Sequence, residues 1–315
     1  MKNLLIKIFT LGVILISGKF TLGQVSVYDT KEEDYVQLKK STLYFVCPDF
    51  LMEDENELQN LLTETWTYSD IKVISYKKLD DYIDKENSAF LTLNYGFIYA
   101  FNSIQKIYYE LWMNGKPNQM RKNFKKVVFA NAYLDFKCEF DSIVTCNHNY
   151  NLIIPHLYKK ADIQNLKPGI ICNNLKTIQM ELKTQKSFYP NFETYKNSEE
   201  LKKLSEDTLY ITDNIKFEHS SKVTLKKYQC CVSELKIKDI MSKYPYPYKI
   251  VSFDELNDKL INGDKFIYLI YINLSVYFNN ISICDNTGKC IYSASQVEGY
   301  NPKKSIGKIA KLITK

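Results

Sequence analysis

Two stretches of the chain align without a gap and decide the fold: Lys72-Val-Ile-Ser-Tyr-Lys-Lys-Leu-Asp-Asp-Tyr-Ile83 and Lys249-Ile-Val-Ser-Phe-Asp-Glu-Leu-Asn-Asp-Lys-Leu260. In both, an apolar run leads to a serine, whose oxygen can cap the free amide groups of a following helix. Leu79 and Ile83 are four residues apart and share one helical face, and the second stretch has the same spacing. Each stretch therefore predicts a buried strand followed by a short amphipathic helix.

The similarity extends beyond these stretches on both sides. Upstream, Thr42-Leu-Tyr44 and Thr208-Leu-Tyr210 each open a further apolar strand. Downstream, Phe90-Leu-Thr-Leu-Asn-Tyr95 lies over Ile267-Tyr-Leu-Ile-Tyr-Ile272 in the same register. Self-similarity across successive elements indicates a duplicated supersecondary unit. A chance match between short apolar strands is the alternative.

Each copy is predicted to contain the same order of elements, β-α-β-α-β-β-β-α. The first has strands at 42–46, 71–75, 90–95, 108–112 and 125–136, and helices at about 55–65, after Ser75 and at 169–185. The second has strands at 208–212, 248–252, 267–272, 280–284 and 289–293, and helices at about 233–242, after Ser252 and at 303–314. This order predicts an α+β (α/β-like) fold of two related units, with mixed sheets covered by helices. We place the first unit at 24–186, a polar linker at 187–206 and the second unit at 207–315.

The first 23 residues have the composition of a secretory signal peptide. Lys2 and Lys7 give a positive start, residues 8–16 are apolar, and Thr21 and Gly23 supply small residues before a cleavage point. The apolar run is far shorter than the roughly 20 residues that span a bilayer; a buried first helix is the alternative. We expect residues 1–23 to be removed and the protein to be exported, periplasmic or secreted, without a transmembrane span. Peripheral attachment to a membrane stays open.

The charge balance argues against nucleic-acid binding. Removal of the predicted signal peptide lowers the 42 basic residues to 39, against 36 acidic residues, which leaves a net charge of +3. Nucleic-acid-binding domains usually carry a concentrated basic face. The densest basic stretch, 116–126, lacks the regular interleaving with aromatic residues that base stacking uses. We predict it to be a solvated loop between two strands.

The eight cysteines all follow the predicted signal peptide, and an even number suits an oxidising compartment. Cys284 and Cys290 flank a predicted hairpin turn symmetrically, so they are disulfide candidates. Cys138 and Cys146 flank another predicted turn and form the second candidate pair. Two others are predicted to be small buried apolar groups, Cys47 and Cys172.

One set of residues is a candidate zinc site: Cys138, Cys146, His148 and His156. Zinc accepts thiolate and imidazole ligands. The spacings differ from the tight Cys-x-x-Cys clips of structural zinc sites, so surface histidines beside a disulfide are the alternative. No cofactor is predicted.

The sequence contains no recognisable catalytic motif. Only three histidines occur, and the Gly-x-Ser-x-Gly, His-Glu-x-x-His, Walker and Gly-x-Gly-x-x-Gly patterns are missing. Asp285-Asn-Thr-Gly288 differs from the Asp-Thr-Gly of aspartic proteases by one inserted residue, and a hairpin turn explains it better. Two carboxylates brought together by folding would need no local motif. We therefore assign no catalytic residue and keep a hydrolase with acidic residues as the least supported function.

Aromatic residues are abundant, with 25 Tyr, 17 Phe and two Trp. They concentrate before the second strand of each copy, as Trp66 and Tyr68 in the first and Tyr244, Tyr246 and Tyr248 in the second. Such a paired surface could bind a glycan or a peptide between the two units. Alternatively, these residues seal the helix-to-strand corner of a core, which is the commoner role of buried aromatic side chains.

Several segments resemble known proteins. The stretch Thr42-Leu-Tyr-Phe-Val46, Trp66 with Lys72-Val-Ile-Ser-Tyr76, Lys167-Pro-Gly169 and the C-terminal strand-hairpin-helix resemble an uncharacterised family of exported Bacteroidetes proteins. This resemblance implies a cell-envelope setting and supplies no catalytic residue. In element order and in the Asp-x-x-Gly turn after a strand, one unit is also similar to the N-terminal α/β domain of TolB and the curli-secretion CsgG domain. That similarity implies a fold and no function.

Three functions follow from these observations. The first is a non-enzymatic cell-envelope protein that acts by protein contacts or scaffolding, with another envelope protein as its partner. The second is a glycan- or peptide-binding module whose site lies between the two units, near the aromatic corners. The third is the acidic hydrolase.

Overall fold

The strands predicted for both copies are present, and the structure adds elements that the sequence did not predict, among them the helices Glu32–Lys40 and Tyr150–Lys159 and a hairpin of Phe217–Thr224 with Lys227–Glu234. The computed structural model describes residues 24–98, 103–117, 124–135, 150–159, 163–185, 195–224, 227–273, 278–297 and 301–314. Its strands are β1 (Val25–Val27), β2 (Thr42–Cys47), β3 (Ile71–Ser75), β4 (Ser88–Ile98), β5 (Ser103–Pro117), β6 (Phe124–Leu134), β7 (Tyr195–Lys196), β8 (Leu209–Thr212), β9 (Phe217–Thr224), β10 (Lys227–Glu234), β11 (Tyr248–Val251), β12 (Ile267–Asn273), β13 (Phe278–Asp285) and β14 (Cys290–Val297). Its α-helices are α1 (Glu32–Lys40), α2 (Glu55–Thr65), α3 (Tyr150–Lys159), α4 (Pro168–Thr184), α5 (Ser198–Lys203), α6 (Ile237–Met241), α7 (Phe253–Ile261) and α8 (Pro302–Ile313).

The strands form two six-stranded sheets with the same topology and a separate hairpin, β9–β10. The first sheet has the order β3-β2-β4-β5-β6-β1, and the second has the order β11-β8-β12-β13-β14-β7. In both, the first three strands are parallel and the remaining neighbours are antiparallel. The α+β fold with mixed sheets is therefore confirmed. The shared order and direction of six strands agree with an internal duplication.

The two serine-capped stretches differ in how their helices begin. Ser252 Oγ accepts a hydrogen bond from the Glu255 amide at 3.1 Å and caps α7 as predicted. Ser75 makes no such bond, and a 3-10 segment, Tyr76–Asp81, replaces the predicted α-helix. The first turn of α7 carries Asp254 and Glu255, which favour the positive end of the helix dipole. The first copy has two lysines at the corresponding positions, so its first turn lacks this stabilisation.

The second copy contains a β-hairpin that was not predicted, after its first strand β8. The structure forms β9 and β10 between β8 and α6, paired over eight positions. The predicted helix at 233–242 is therefore wrong at its start, and α6 has only five residues. Strand β10 satisfies its backbone groups through β9 up to Glu234 and leaves little chain for a helix. In the first unit, the corresponding position after β2 holds the 3-10 segment Asp49–Asp54.

Helix α4 lies between the two sheets. Ile171, Leu175 and Ile178 pack into the apolar core of the first sheet. Ile170 packs into a separate apolar cluster, the inter-unit core, in which Tyr108 and Tyr133 of the first sheet meet residues of α7, β12 and β13. A surface helix normally buries one face, whereas α4 buries two. The two units therefore share this helix.

The turn between β13 and β14 docks onto α4. Three side chains of α4 donate hydrogen bonds to carbonyl oxygens of the turn. Asn173 donates to Asp285 at 3.2 Å, Lys176 to Asn286 at 3.2 Å and Thr177 to Gly288 at 2.6 Å. Gly288 has a φ of +86°, and an added Cβ would lie 2.7 Å from the backbone nitrogen of Thr177. Only glycine combines this backbone conformation with such a close approach.

The stretch predicted as a linker contains β7 and α5 in its described part. Strand β7 pairs with β14 at the edge of the second sheet. Leu201 and Leu204 are buried in the core of that sheet. Among the helices that the structure describes, none is both long enough and apolar enough to cross a membrane.

Candidate functional site: a groove between the two units

The aromatic corner of the first unit is part of its core. Trp66 is 2% exposed, and its ring centroid lies 5.8 Å from that of the buried Tyr68. The indole Nε1 donates to Ser69 Oγ at 3.0 Å, so its one polar group is satisfied within the corner. The first corner therefore leaves no aromatic face available to a ligand.

The aromatic corner of the second unit belongs to a different core. Tyr244 is buried among residues of the second sheet and its helices. Tyr246 and Tyr248 pack edge-on against it, with ring centroids 5.3 and 6.3 Å away. Burial raises the pKa of Tyr244 well above its ordinary value, so the phenol stays neutral. Trp66 and Tyr68 lie in the first core, Tyr244 and the partly buried Tyr246 lie in the second, and Tyr248 is 39% exposed. This separation favours the core-sealing interpretation over a shared ligand site for all of them except Tyr248.

The predicted disulfide between Cys284 and Cys290 is wrong. The two residues are partners in the β13–β14 register, yet both are free thiols. A register shift between Ile283 and Cys284 interrupts the ladder at this point. The Cys284 thiol donates to Gln24 Oε1 at 3.5 Å, and the Cys290 thiol donates to the Tyr292 carbonyl at 3.6 Å. Each sulfur therefore has a further polar partner, although the Cys284 and Cys290 thiols also interact with each other.

The candidate zinc ligands fall largely outside the structure's description. Cys138, Cys146 and His148 lie outside the described residues, as does the side chain of His156. The disulfide between Cys138 and Cys146 and the zinc set therefore stay predictions. Within the described ranges, no group of three or more His, Cys, Asp and Glu residues is arranged to hold a metal ion.

Cys47 and Cys172 are buried free thiols, as predicted, and we expect them to react slowly in the native protein. Burial, with smaller contributions from Glu55 and Asp49, raises the pKa of Cys47 from its ordinary 9.0 to about 12. Burial raises the pKa of Cys172 to about 11. Because the thiolate is the nucleophile, this rise lowers the reactive fraction of Cys47 near pH 8 about a thousandfold.

Alkylation by iodoacetamide near pH 8, followed by peptide mass mapping, tests this expectation. Cys47 and Cys172 should be labelled only after unfolding in urea. The half-buried Cys290 serves as the control thiol in the same native sample. Labelling of native Cys47 as fast as a free cysteine would contradict the buried placement.

A groove with apolar walls lies where the two units meet. Its walls come from the 3-10 segment Asp49–Asp54 and α2 of the first unit, the start of α4, and the end of α7 in the second unit. The cavity has a volume of about 170 Å³. Its apolar lining consists of Phe50, Leu51, Leu58, Leu61, Pro168 and Ile261. Ile261 is 39% exposed, which is unusual for a large apolar residue of this protein.

The close packing of α4 on α7 forms one wall of the groove. The Gly169 amide donates to Asn257 Oδ1 at 2.8 Å. A Cβ at Gly169 would lie 2.6 Å from the Asn257 carbonyl oxygen, so glycine is needed for this approach. The contact brings Pro168 at the start of α4 and Ile261 at the end of α7 to the same groove.

The rim of the groove is acidic. Glu53, Asp54 and Glu57 line it and are exposed. No described basic side chain forms an ion pair with any of the three. Lys167, next to the groove in sequence, is already paired with Asp254 at 2.7 Å. Within the described part of the chain, the rim therefore carries negative charge without an ion-pair partner, beside an apolar surface.

A larger groove of about 720 Å³ lies between α1 and the start of β4. Met113 is the one apolar side chain among its lining residues, which are otherwise polar, charged or glycine. Some of its polar side chains already form hydrogen bonds within the protein. Gln37 donates to the Asn87 side chain at 2.6 Å, and Asn114 donates to the Ile83 carbonyl oxygen at 2.6 Å. It lacks the apolar lining that dominates most ligand sites.

Among the described residues, the carboxylates of Glu181 and Glu200 have shifted pKa values, and they do not form a pair. Burial raises the pKa of Glu181 on α4. Hydrogen bonds from Lys203 and Lys289 lower the pKa of Glu200 on α5. Neither carboxylate lines either groove. The larger groove is lined by other carboxylates, those of Glu33, Asp34, Asp84 and Glu86.

A binding site between the two units was predicted at the aromatic corners, but the groove at Phe50 and Ile261 was not predicted from the sequence. Phe50 and Leu51 follow the apolar strand β2 directly, and an acidic run follows them in turn. This order of apolar and then acidic residues is the local pattern from which this wall of the groove could have been predicted. Ile261 is distant in the chain and reaches the groove only through the packing of α4 on α7. Comparisons with known proteins do not identify the site, because no family model, curated protein or solved structure matches this chain.

Proposed function

We propose that this chain is an exported cell-envelope protein that acts by protein contacts and not by catalysis. The observation that carries the proposal is the groove between the units, with its apolar walls, exposed Ile261 and acidic rim. Large exposed apolar patches rimmed by polar groups mark protein interaction sites, and the small apolar surface of this groove suits contact with one or two side chains of a partner. The signal-peptide pattern of residues 1–23 supports the envelope setting.

The size of the groove favours a protein partner over a small molecule. Pockets for drug-sized ligands and cofactors usually have volumes of about 300–1,000 Å³. The groove has about 170 Å³, which suits one or two inserted side chains. Interface energy commonly concentrates in a few such anchors that fill a pocket on the partner.

The chemistry of the described residues supports a non-enzymatic role. The buried Cys47 and Cys172 are neutral thiols because burial raises their pKa values. The carboxylates with shifted pKa values, Glu181 and Glu200, lie on different helices. Catalytic groups usually combine a perturbed pKa with a position in a cleft, and none of these four lines the groove between the units.

Site-specific photocrosslinking in intact cells tests the proposal. A benzophenone amino acid at Leu61, in the groove, is expected to capture one envelope protein reproducibly. The same probe at Lys304, an exposed position on α8, is the matched control and should capture nothing specific. Failure to capture a protein at Leu61, or adducts found only in the cytoplasmic fraction, would overturn the proposal.

A further inference from the structure

The groove between the units combines two recognition features on adjacent sides. Phe50, Leu51 and Leu61 are half-buried and line the groove with apolar surface. Glu53 and Glu57 are exposed and present carboxylates beside it. A ligand that fills the groove therefore places an apolar group against the walls and its flanking groups against negative charge.

Helix capping alone does not account for the acidic rim. Acidic residues in the first turn of α2, such as Glu57, favour the helix dipole. Asp54 is the N-cap residue of α2, where its negative charge also favours the dipole, although its side chain makes no capping hydrogen bond; Glu53 lies one residue further out, in the 3-10 segment. They nevertheless lie on the rim of the groove without an ion-pair partner among the described residues. Uncompensated carboxylates beside an apolar pocket are suited to a partner that carries positive charge.

Building on the proposed function, we infer that the groove binds a basic segment of a protein partner, in which one or two bulky apolar side chains are flanked by lysine or arginine. The cavity of about 170 Å³ admits the apolar side chains. The three rim carboxylates attract the flanking cations and repel an acidic segment. The same negative charge disfavours an anionic lipid surface, so the occupant is a protein segment and not a membrane.

Peptide binding to the full mature protein tests this inference. The probe is a fluorescein-labelled Gly-Lys-Lys-Phe-Leu-Lys-Lys-Gly peptide, measured by fluorescence anisotropy. One comparison peptide has glutamate in place of each lysine, and the other has serine in place of Phe-Leu. We expect the basic apolar peptide to bind at least about tenfold more tightly than either comparison, and to lose affinity several-fold when salt is raised from about 0.05 to 0.2 M.

Charge-reversed variants locate the binding. Glu57→Lys is expected to lower the affinity for the basic apolar peptide about fivefold or more and to raise the affinity for the glutamate-containing comparison peptide. Glu33→Lys makes the same charge change in the larger polar groove and should leave the affinity unchanged. Leu61→Asp should abolish binding; because that variant could also unfold, Leu61→Ala with an unchanged circular dichroism spectrum provides the second measurement, with a loss of about tenfold expected.

The outcomes separate this inference from the function on which it rests. Equal binding of the three peptides, or an equal effect of Glu33→Lys and Glu57→Lys, would overturn the basic-segment inference. If a partner is still crosslinked at Leu61 in that case, the protein-contact function stands with a different occupant. If neither a peptide nor a partner binds at the groove, both proposals fail.

Discussion

Replacing Trp66 with alanine is expected to lower the free energy of unfolding by about 3–5 kcal/mol. The side chain is 2% exposed and packs in the core of the first sheet, so the truncation removes buried apolar contacts and leaves a cavity. It also leaves Ser69 without the indole donor that now lies 3.0 Å away. A core role predicts a loss of stability, whereas a ligand-binding role predicts a loss of affinity with stability preserved.

Urea unfolding followed by far-ultraviolet circular dichroism measures this effect without relying on tryptophan emission. Trp66→Phe is the matched control, because it keeps an aromatic ring in the corner and removes only the indole bond and part of the volume. We expect it to cost about 1–2 kcal/mol. Wild-type stability of Trp66→Ala would contradict the buried placement and return the corner to the list of candidate ligand surfaces.

Replacing Gly288 with alanine is expected to lower the free energy of unfolding by about 2–4 kcal/mol. Two costs combine at this position. A residue with a Cβ is strained at a φ of +86°, and the new atom would meet the Thr177 backbone nitrogen at 2.7 Å. The helix backbone cannot move aside as a side-chain end could. The turn would therefore lift from α4 and lose the hydrogen bond from Thr177 Oγ1 to the Gly288 carbonyl.

Gly263→Ala is the matched control for this prediction. Gly263 has a φ of +72°, and an added Cβ would meet nothing within 4 Å. That variant carries the backbone strain without the collision and should cost only about 1 kcal/mol. Hydrogen exchange should show faster exchange across Pro168–Thr184 in Gly288→Ala and not in Gly263→Ala. Equal stability of the two variants would contradict the docking of the turn on α4.

The shared helix gives these predictions a common physical basis. Ile170 on one face of α4 lies in the inter-unit core, and Leu175 on another face lies in the apolar core of the first sheet. Buried polar bonds, such as the one from Asn173 to the Tyr268 hydroxyl at 2.6 Å, join the helix to the second sheet. Buried polar groups are costly to leave unpaired. Separating the units would therefore expose apolar surface and break buried hydrogen bonds together.

Local patterns were sufficient for most of the secondary structure and for the repeated topology. The stretch beginning at Lys72 and the stretch beginning at Lys249 show the same apolar periodicity, and both occupy the same place in a sheet of the same strand order. Proline at the first turn, as at Pro168 and Pro302, marked the starts of two long helices correctly. These features depend on neighbours in sequence, which is why the sequence could predict them.

Local patterns failed where a non-local partner or a small local difference decided the outcome. Ser75 and Ser252 look alike in the alignment, but acidic residues stabilise the helix after Ser252 and lysines follow Ser75. Cys284 and Cys290 face each other across a turn, as the sequence suggests. Gln24, distant in the chain, accepts the hydrogen bond of the Cys284 thiol.

By itself, the sequence determined the α+β class, the five predicted strands of each unit and the burial of Cys47 and Cys172, because periodicity and residue type decide these properties. Only the tertiary structure decided that α4 is shared by both sheets and that the aromatic corners lie in separate cores. It also decided that Phe50 and Ile261 meet in one groove. Hydrophobic periodicity specifies which face of an element is buried, whereas the identity of the element that covers this face depends on packing between distant parts of the chain.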